Sequence, residues 1–429
     1  MNADVVIVGA GPAGLSAAIT LARAGVRPMV LERGLYPGAK NMFGGVLYGR
    51  ALHDLLPAFW ERAPIERRLV RRTFTLLTSD AAVSLDLRSP RLGTTPDAGW
   101  IIARSRFDRW LGAEAEEAGA LVVPEATVDD LLWEGGRVAG VRVRRAEGEV
   151  HAQVVVAADG VMSLLAQRAG LRGPPSSDAA ALGVKEVLQL PREVVESRFQ
   201  LRDDEGVEHI FVGEATGGQP GGGFLYTLRD GIALGVIVQL DSLKAGGTRP
   251  QDLLEQFKAH PAVAPLVAGG TAREYSAHLI PEGGYTELPG LVTDGFLVIG
   301  DAAGLVAVNG IHFEGMNLAI ASGVAAAETI LEARRRGDFS AAGLEGYARR
   351  LRNGFVLQDL QHFRNAGAFL RSPRLYREYP QMACDFLERL YRSSPPAKAS
   401  LWQSLAGSLA GRVSWPQVVR DAWGMWRSL

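Results

Sequence analysis

The chain opens on an unbroken apolar run, VVIV at residues 5–8. Glycines follow, then apolar residues at helical spacing, then a second run ending in PMVL at 28–31. Residues 3–34 therefore read strand, tight turn, helix, strand. The segment RSRFDRWLGAEAEEAGALVV (104–123) predicts a helix ending at Gly119 and a strand after it. VVVAADG (154–160) is a short apolar strand closed by Asp-Gly. GFLVIGDAAG (295–304) is another, ending in Gly-Asp, with a long helix after it to about Arg336. Between these the period changes. HIFVGEA and GIALGVIVQL, within 180–240, predict antiparallel strands. Beyond residue 340 the pattern is helical, with Pro373, Pro380 and the Pro395–Pro396 pair expected as breaks.

Composition narrows the class. A chain of 429 residues with 47% hydrophobic content and a net charge of −1 can bury a large core and offers no basic surface for nucleic acid. Cys384 stands alone, which excludes an internal disulfide and any cluster or zinc site built from this chain's own thiolates. That fits a reducing compartment. The N-terminus runs straight into a strand without a basic segment or cleavage site, so no leader is expected. No apolar run approaches the ~18 residues needed to span a bilayer.

The strongest local signal is VVIVGAGPAGLSAAITLARAGVRPMVLERG. Gly9 permits the turn out of the strand, Gly11 lets backbone approach a pyrophosphate, and Gly14 allows close helix–strand packing. Pro12 and Ala13 begin the helix, whose free N–H groups favour phosphate, and Gly25 suits its C-terminus. Glu32 ends the second strand, placed to accept both hydroxyls of an adenosine ribose. An acid there disfavours a 2′-phosphate, and so NADP. This fingerprint does not by itself separate FAD from NAD.

A second signal does. FLVIGDAAG puts Gly300 and Asp301 at a strand tip, resembling the Gly-Asp motif of glutathione-reductase-like flavoproteins, whose aspartate holds the FAD ribitol. Asp159-Gly160 and RSRFDRWL resemble two further flavin motifs, with Arg104 or Arg106 expected along the cofactor. The expected fold is therefore α/β, a Rossmann-like FAD-binding domain with an inserted antiparallel β-sheet substrate domain and a helical C-terminal region. Its bounds are 1–175 and 291–340 for the FAD-binding domain, 176–290 for the insertion, and 341–429 for the helical part. A second GxGxxG and a CxxxxC pair are both absent, so the chain is not a disulfide reductase with its own pyridine-nucleotide domain.

ERGLYPGAKNMFGGVLYGR (32–50), GVKEVLQLP, GGGFLYT, EYSAHLIPEGGY and NGIHFEGMNLAIASG carry a closer resemblance. Together they resemble the FixC-type electron-transfer flavoprotein:quinone oxidoreductases over nearly the whole length. The resemblance implies one FAD, electrons from an electron-transfer flavoprotein with α and β subunits, and a membrane quinone as acceptor. It adds Arg33, Asn41, Gly44, Gly45, Gly315, Met316 and Asn317 to the cofactor residues. A helix starting at GMNLAIASG would point its N-terminus at the flavin ring. Fused members carry a C-terminal iron–sulfur domain that this chain lacks. The resemblance then implies a separate ferredoxin-like iron–sulfur subunit, and leaves open whether the complex bifurcates electrons. A peripheral place on the cytoplasmic face of the membrane is implied.

No nucleophile–base pair or metal-ligand cluster stands out, so no catalytic residue is assigned; His53, His278 and His312 are scattered. Competing readings are an aromatic-ring monooxygenase, a prenyl reductase such as geranylgeranyl reductase, and a flavin-bearing assembly subunit without turnover. Leu165 and Ala166 stand where the monooxygenase motif usually keeps an arginine.

The last fifteen residues, WPQVVRDAWGMWRSL, predict an amphipathic helix started by Ser414 and Pro416. Trp415, Val419, Trp423 and Trp426 share one face, and Gln417, Arg420, Asp421 and Arg427 the other. Leu401, Leu405 and Leu409 form a second stripe upstream. The tail is expected on a membrane surface or on a partner subunit, the alternative being that it folds back on the protein's own core.

Overall fold

Residues 5–8 and 154–157 are apolar without interruption because both faces of their strands are covered. In the computed structural model, which describes residues 2–40, 45–144, 148–309, 313–393 and 400–428, these strands lie side by side. Asn2–Val8 and Glu149–Ala157 pair in parallel at the centre of an eight-stranded sheet. Phe296–Val298 continues it in parallel on one side, Pro28–Leu31 and Leu121–Val123 on the other. The hairpin Val128–Glu134 and Arg137–Val143 joins Glu149–Ala157 in antiparallel fashion. Two helices, Pro12–Arg23 and Met316–Arg336, pack closely together. A Cβ at Gly323 would stand 2.2 Å from the Ala13 carbonyl oxygen, so the backbones touch there.

The second sheet has nine strands. Its order is Thr271–Pro281, Ala180–Gln189, Gly231–Gln239, Gly221–Leu228, Glu205–Gly213, Ile65–Leu77, Gly99–Ile102, Val46–Tyr48, with Ala82–Arg88 as a further edge on Ile65–Leu77. All pairings are antiparallel except that of Glu205–Gly213 with Ile65–Leu77. The antiparallel character expected for 180–240 is present, but four of the nine strands precede residue 175. The sheet is therefore assembled from both sides of the boundary drawn there. Ile65–Leu77 escapes a sequence reading because arginines interrupt its alternation. Arg67 is buried all the same, its guanidinium donating to the carbonyls of Leu228, Arg229, Asp203 and Glu205.

Because side chains alternate across a strand, this sheet has two distinct faces. Phe211, Leu225, Leu234 and Val236 pack with Leu253, Leu254 and Phe257 of the helix Pro250–Ala259. Ile210, Phe224, Tyr226, Ile237 and Ile280 occupy the opposite face.

The C-terminal region is helical, with one correction. Pro380 does not break a helix. It sits in the first turn of Glu378–Tyr391, where a missing N–H costs nothing. Pro373 does open a short turn, Pro373–Leu375, and the Pro395–Pro396 pair lies outside the described residues.

Candidate functional site

Backbone proximity explains the glycines at 9 and 14. Gly9 has φ +107°, and a Cβ there would stand 2.2 Å from the Ala158 carbonyl oxygen. At Gly14 it would stand 2.1 Å from the Gly9 oxygen. Gly11 differs: a Cβ there would meet nothing within 4 Å. Gly11 is also the N-cap of Pro12–Arg23 and supplies no side-chain cap, so the first N–H groups of that helix open into free space. Glu32 is held by its own loop. Its Oε2 accepts the Ala10 N–H at 3.0 Å and its Oε1 the Gly34 N–H at 2.6 Å. A carboxylate has about four lone-pair sites, so two remain for ribose hydroxyls.

Across the opening stand Asp301, Arg104 and His278. Gly300 has φ +60° and donates its N–H to Ser322 Oγ at 3.0 Å, which turns the chain so that Asp301 lines the cavity. Burial pushes the Asp301 carboxyl up, while His278 and Arg104 oppose the shift. Burial likewise lowers His278, and Asp301 opposes it. Arg104 is fixed by Asp108, two 2.8 Å hydrogen bonds one helical turn apart. The helix Met316–Arg336 starts at Gly315, again without a side-chain cap, and Gly315 and Met316 line the same space. Asn317 donates to Glu314 Oε2 at 2.8 Å, and its buried Oδ1 lacks a partner among the described residues.

Gly11, Pro12, Ala13, Gly45, Arg104, Gly160, Asp301, Gly315 and Met316 thus converge on one cavity. Gly9, Gly14 and Gly300 shape it by close packing, and Arg33 is exposed near enough for its charge to act on His278. Two expected residues turn elsewhere. Arg106 pairs with Glu66, because two positions along a helix rotate it away from Arg104. Asp159 accepts from Ser163 Oγ at 2.8 Å and Leu165 N–H at 3.2 Å, holding the start of the next helix. Asn41, Gly44 and His312 lie outside the described residues. His53 is structural: its Nδ1 accepts the Ala58 N–H, and its ring stacks on Trp60.

The cavity, of about 950 Å³, continues beyond the cofactor residues over the free face of the second sheet. Phe224, Ile237, Ile280, Leu375 and Met425 make this part apolar. Arg72 crosses its wall, bonded to Tyr48 Oη at 2.8 Å and paired with Glu208 at 3.2 Å. Sequence reading missed Arg72, Glu208, Tyr226 and Glu282, and took His278 for a scattered residue. The usable signal was alternation, which sets His278 and Ile280 on one side of the strand that Glu282 follows.

The tail helix, Trp415–Ser428, closes the far end, where Val418, Ala422 and Met425 line the cavity. Of the polar side, Asp421 faces the protein, while Arg420 and Arg427 are exposed. Asp421 accepts from Arg374 at 2.6 and 2.7 Å and from Tyr379 Oη at 2.7 Å. The indoles face out, Trp423 61% and Trp426 81% exposed, and Trp415 stacks on Trp402. The upstream stripe divides, with Leu401 exposed and Leu409 buried.

Two uncapped helix N-termini, an open glycine approach and the Glu32 carboxylate fit a dinucleotide, with room beside it for a ring system. Comparison with known proteins agrees. Residues 2–203 match the FAD binding domain family, residues 180–280 the family described as ETF-QO, ubiquinone-binding, and residues 366–429 the ETF-QO/FixC family C-terminal domain. A probable electron transfer flavoprotein-quinone oxidoreductase, YdiS of Escherichia coli K12, is 42% identical over 390 residues, 90% of either chain. Protein FixC of Bradyrhizobium diazoefficiens is 41% identical over 424 residues, 98% of this chain and 97% of that one. Among solved structures, a geranylgeranyl bacteriochlorophyll reductase-like protein of Thermoplasma acidophilum has a TM-score of 0.74 at 20% identity over 99% of both chains. The myxobacterial halogenase CndH has 0.65 at 22% identity over 86% of this chain and 83% of its own. Those two likenesses are of fold alone.

Glu32→Arg should strip FAD from the purified protein. It removes the acceptor of two backbone N–H groups and sets a cation beside a helix N-terminus. The ratio of flavin to protein absorbance checks this, and an unchanged ratio would remove Glu32 from the site.

Proposed function

This chain belongs to the family of FixC proteins and electron transfer flavoprotein–quinone oxidoreductases, and from that premise we propose that it passes electrons from an electron-transfer flavoprotein, through one FAD, to a membrane quinone. The observation that carries the reading is the single cavity running from the dinucleotide residues to an apolar chamber under the tail helix. Bound FAD would supply an exchange of one or two electrons. The protein's part is to hold and tune it. Glu32 would take the ribose, the N–H groups after Gly11 the pyrophosphate, and Asp301 the ribitol. The helix start at Gly315 would favour negative charge near the ring. The apolar chamber would admit a quinone ring and keep water from the transfer.

The mouth supports delivery from lipid. Leu85 and Leu87, on the edge strand Ala82–Arg88, line the cavity yet are 74% and 52% exposed, and the outward tryptophans stand on the helix that closes it. Among the described residues no helix is long and apolar enough to cross a membrane. The protein would lie on the cytoplasmic face, its indoles in the interface. A separate ferredoxin-like subunit completes the proposal, since one buried cysteine cannot ligate a cluster. Any splitting of electron pairs would belong to that complex.

The test is stopped-flow reoxidation. Photoreduced protein mixed anaerobically with a short-chain ubiquinone should return to the oxidised spectrum far faster than without it. NADH alone should reduce the isolated chain slowly, because it carries one dinucleotide fingerprint. Rapid NADPH-driven oxygen consumption with no response to quinone would instead favour the monooxygenase or prenyl-reductase reading.

A further inference from the structure

Reducing a quinone needs protons as well as electrons, and an apolar chamber supplies few. Among the described residues four acids line the cavity: Glu208, Glu282, Asp301 and Asp421. Three are committed. Asp421 is held by Arg374 and Tyr379, Glu208 is paired with Arg72, and Asp301 lies at the cofactor end near His278 and Arg104. Glu282 follows the strand Thr271–Pro281, on the same side as His278 and Ile280. Four residues separate it from His278, roughly 13 Å at ~3.3 Å per residue. Its place is fixed by its backbone N–H, which donates to the Ala179 carbonyl at 2.8 Å.

The groups around its carboxyl connect chamber and solvent. Arg371 and Asp241 act on its charge, and Glu282 in turn acts on Tyr376. Arg371 is exposed, and its guanidinium donates to the Asp178 carbonyl, with the Asp178 carboxylate close by. Asp241 is partly exposed, its Oδ1 accepting the Ser242 N–H. Tyr376 donates its hydroxyl to the Leu370 carbonyl at 2.7 Å. Glu282 therefore has apolar chamber on one side and hydrated charges on the other.

Resting on the quinone reading above, we propose that Glu282 is the proton donor to the quinone, refilled from solvent along Asp241 and Arg371. A quinone takes two electrons and two protons to become a hydroquinone; bound, reduced FAD would supply both electrons and one proton, and Glu282 would give the second proton to a quinone oxygen, leaving a carboxylate that regains its proton from solvent. Burial raises the Glu282 carboxyl to about 7, with Asp241 adding to the shift and Arg371 opposing it. An acid of that strength gives and regains its proton near neutrality. Since the protonated form donates, kcat with quinone should fall as pH rises through about 7.

The test uses full-length, FAD-loaded protein carrying Glu282→Gln or Glu282→Asp, with two acceptors: a short-chain ubiquinone, and ferricyanide, which takes electrons without protons. Glu282→Gln should lower kcat with quinone about a hundredfold, the scale of general-acid catalysis, and should abolish the fall near pH 7. FAD content and ferricyanide reduction should be unchanged, and Glu282→Asp should recover part of the loss. Equal losses with both acceptors, or a raised KM at unchanged kcat, would overturn the assignment by marking a structural or binding role. A wild-type kcat and pH profile in Glu282→Gln would overturn it outright. Wild-type protein that reduces no quinone would instead reject the wider reading.

Discussion

Gly323→Val should yield protein that is largely free of FAD and melts several degrees lower. The first added carbon alone would stand 2.2 Å from the Ala13 carbonyl oxygen and 3.1 Å from the Ala17 nitrogen. Both are backbone atoms, so no side chain can swing aside. The helices Pro12–Arg23 and Met316–Arg336 would have to separate. Overpacking of this kind costs about 1–3 kcal/mol, and escaping glycine's helix penalty returns less than about 1 kcal/mol. FAD suffers most because Ala13 lines the cavity and Met316 opens the other helix. Moving them apart misaligns both helix starts. Flavin-to-protein ratio and a thermal melt measure the outcome; a fully loaded variant with an unchanged melt would show that the helices can part freely.

Replacing Trp415, Trp423 and Trp426 together by serine should reduce binding to anionic liposomes about a hundredfold. Burying an apolar side chain yields about 2 kcal/mol. Three half-inserted indoles then contribute roughly 3 kcal/mol, and every ~1.4 kcal/mol is tenfold. The three rings point away from the cavity, so FAD content and quinone reduction in detergent should hold. This substitution is cleaner than deleting residues 413–429, which would also remove Val418, Ala422 and Met425 from the cavity wall. Sedimentation with vesicles reads the result. Undiminished binding would refute the membrane role, and loss of partner subunits at undiminished liposome binding would place the indoles in the complex interface.

The dinucleotide half of the site was legible because its signals are local. Gly9, Gly11, Gly14 and Glu32 lie within 24 residues of chain, and each answers to one backbone requirement. Asp301 was legible for the same reason, at the tip of a strand buried on both faces. Arg106 and Asp159 show the limit of motifs. The right residue type stands at each position, but Arg106 points at Glu66, and the Asp159 carboxylate serves its own turn. The apolar chamber was illegible because it is tertiary. Its walls come from strands at 65–77, 205–213, 221–228, 231–239 and 271–281 and from the tail helix. One polar residue on an alternating strand looks like any solvent-facing residue until the sheet shows which side is covered. The tail helix and its outward indoles are legible in the spacing, but not that Val418, Ala422 and Met425 line the cavity or that Asp421 docks on Arg374 and Tyr379.

The pairing of Asn2–Val8 with Glu149–Ala157, and of that strand with Phe296–Val298, has a consequence for how the protein is made. Asn2–Val8 cannot complete its sheet until nearly 300 residues have followed it. Until then the fingerprint helix has no Met316–Arg336 to rest on, and its apolar side is bare. Contacts so distant in sequence form slowly and leave partly built chains prone to aggregation. Cofactor loading should therefore wait until Met316–Arg336 has been synthesised. Truncated products should emerge colourless, and growing cells with ample flavin should raise the yield of intact protein by trapping it once the two helices meet.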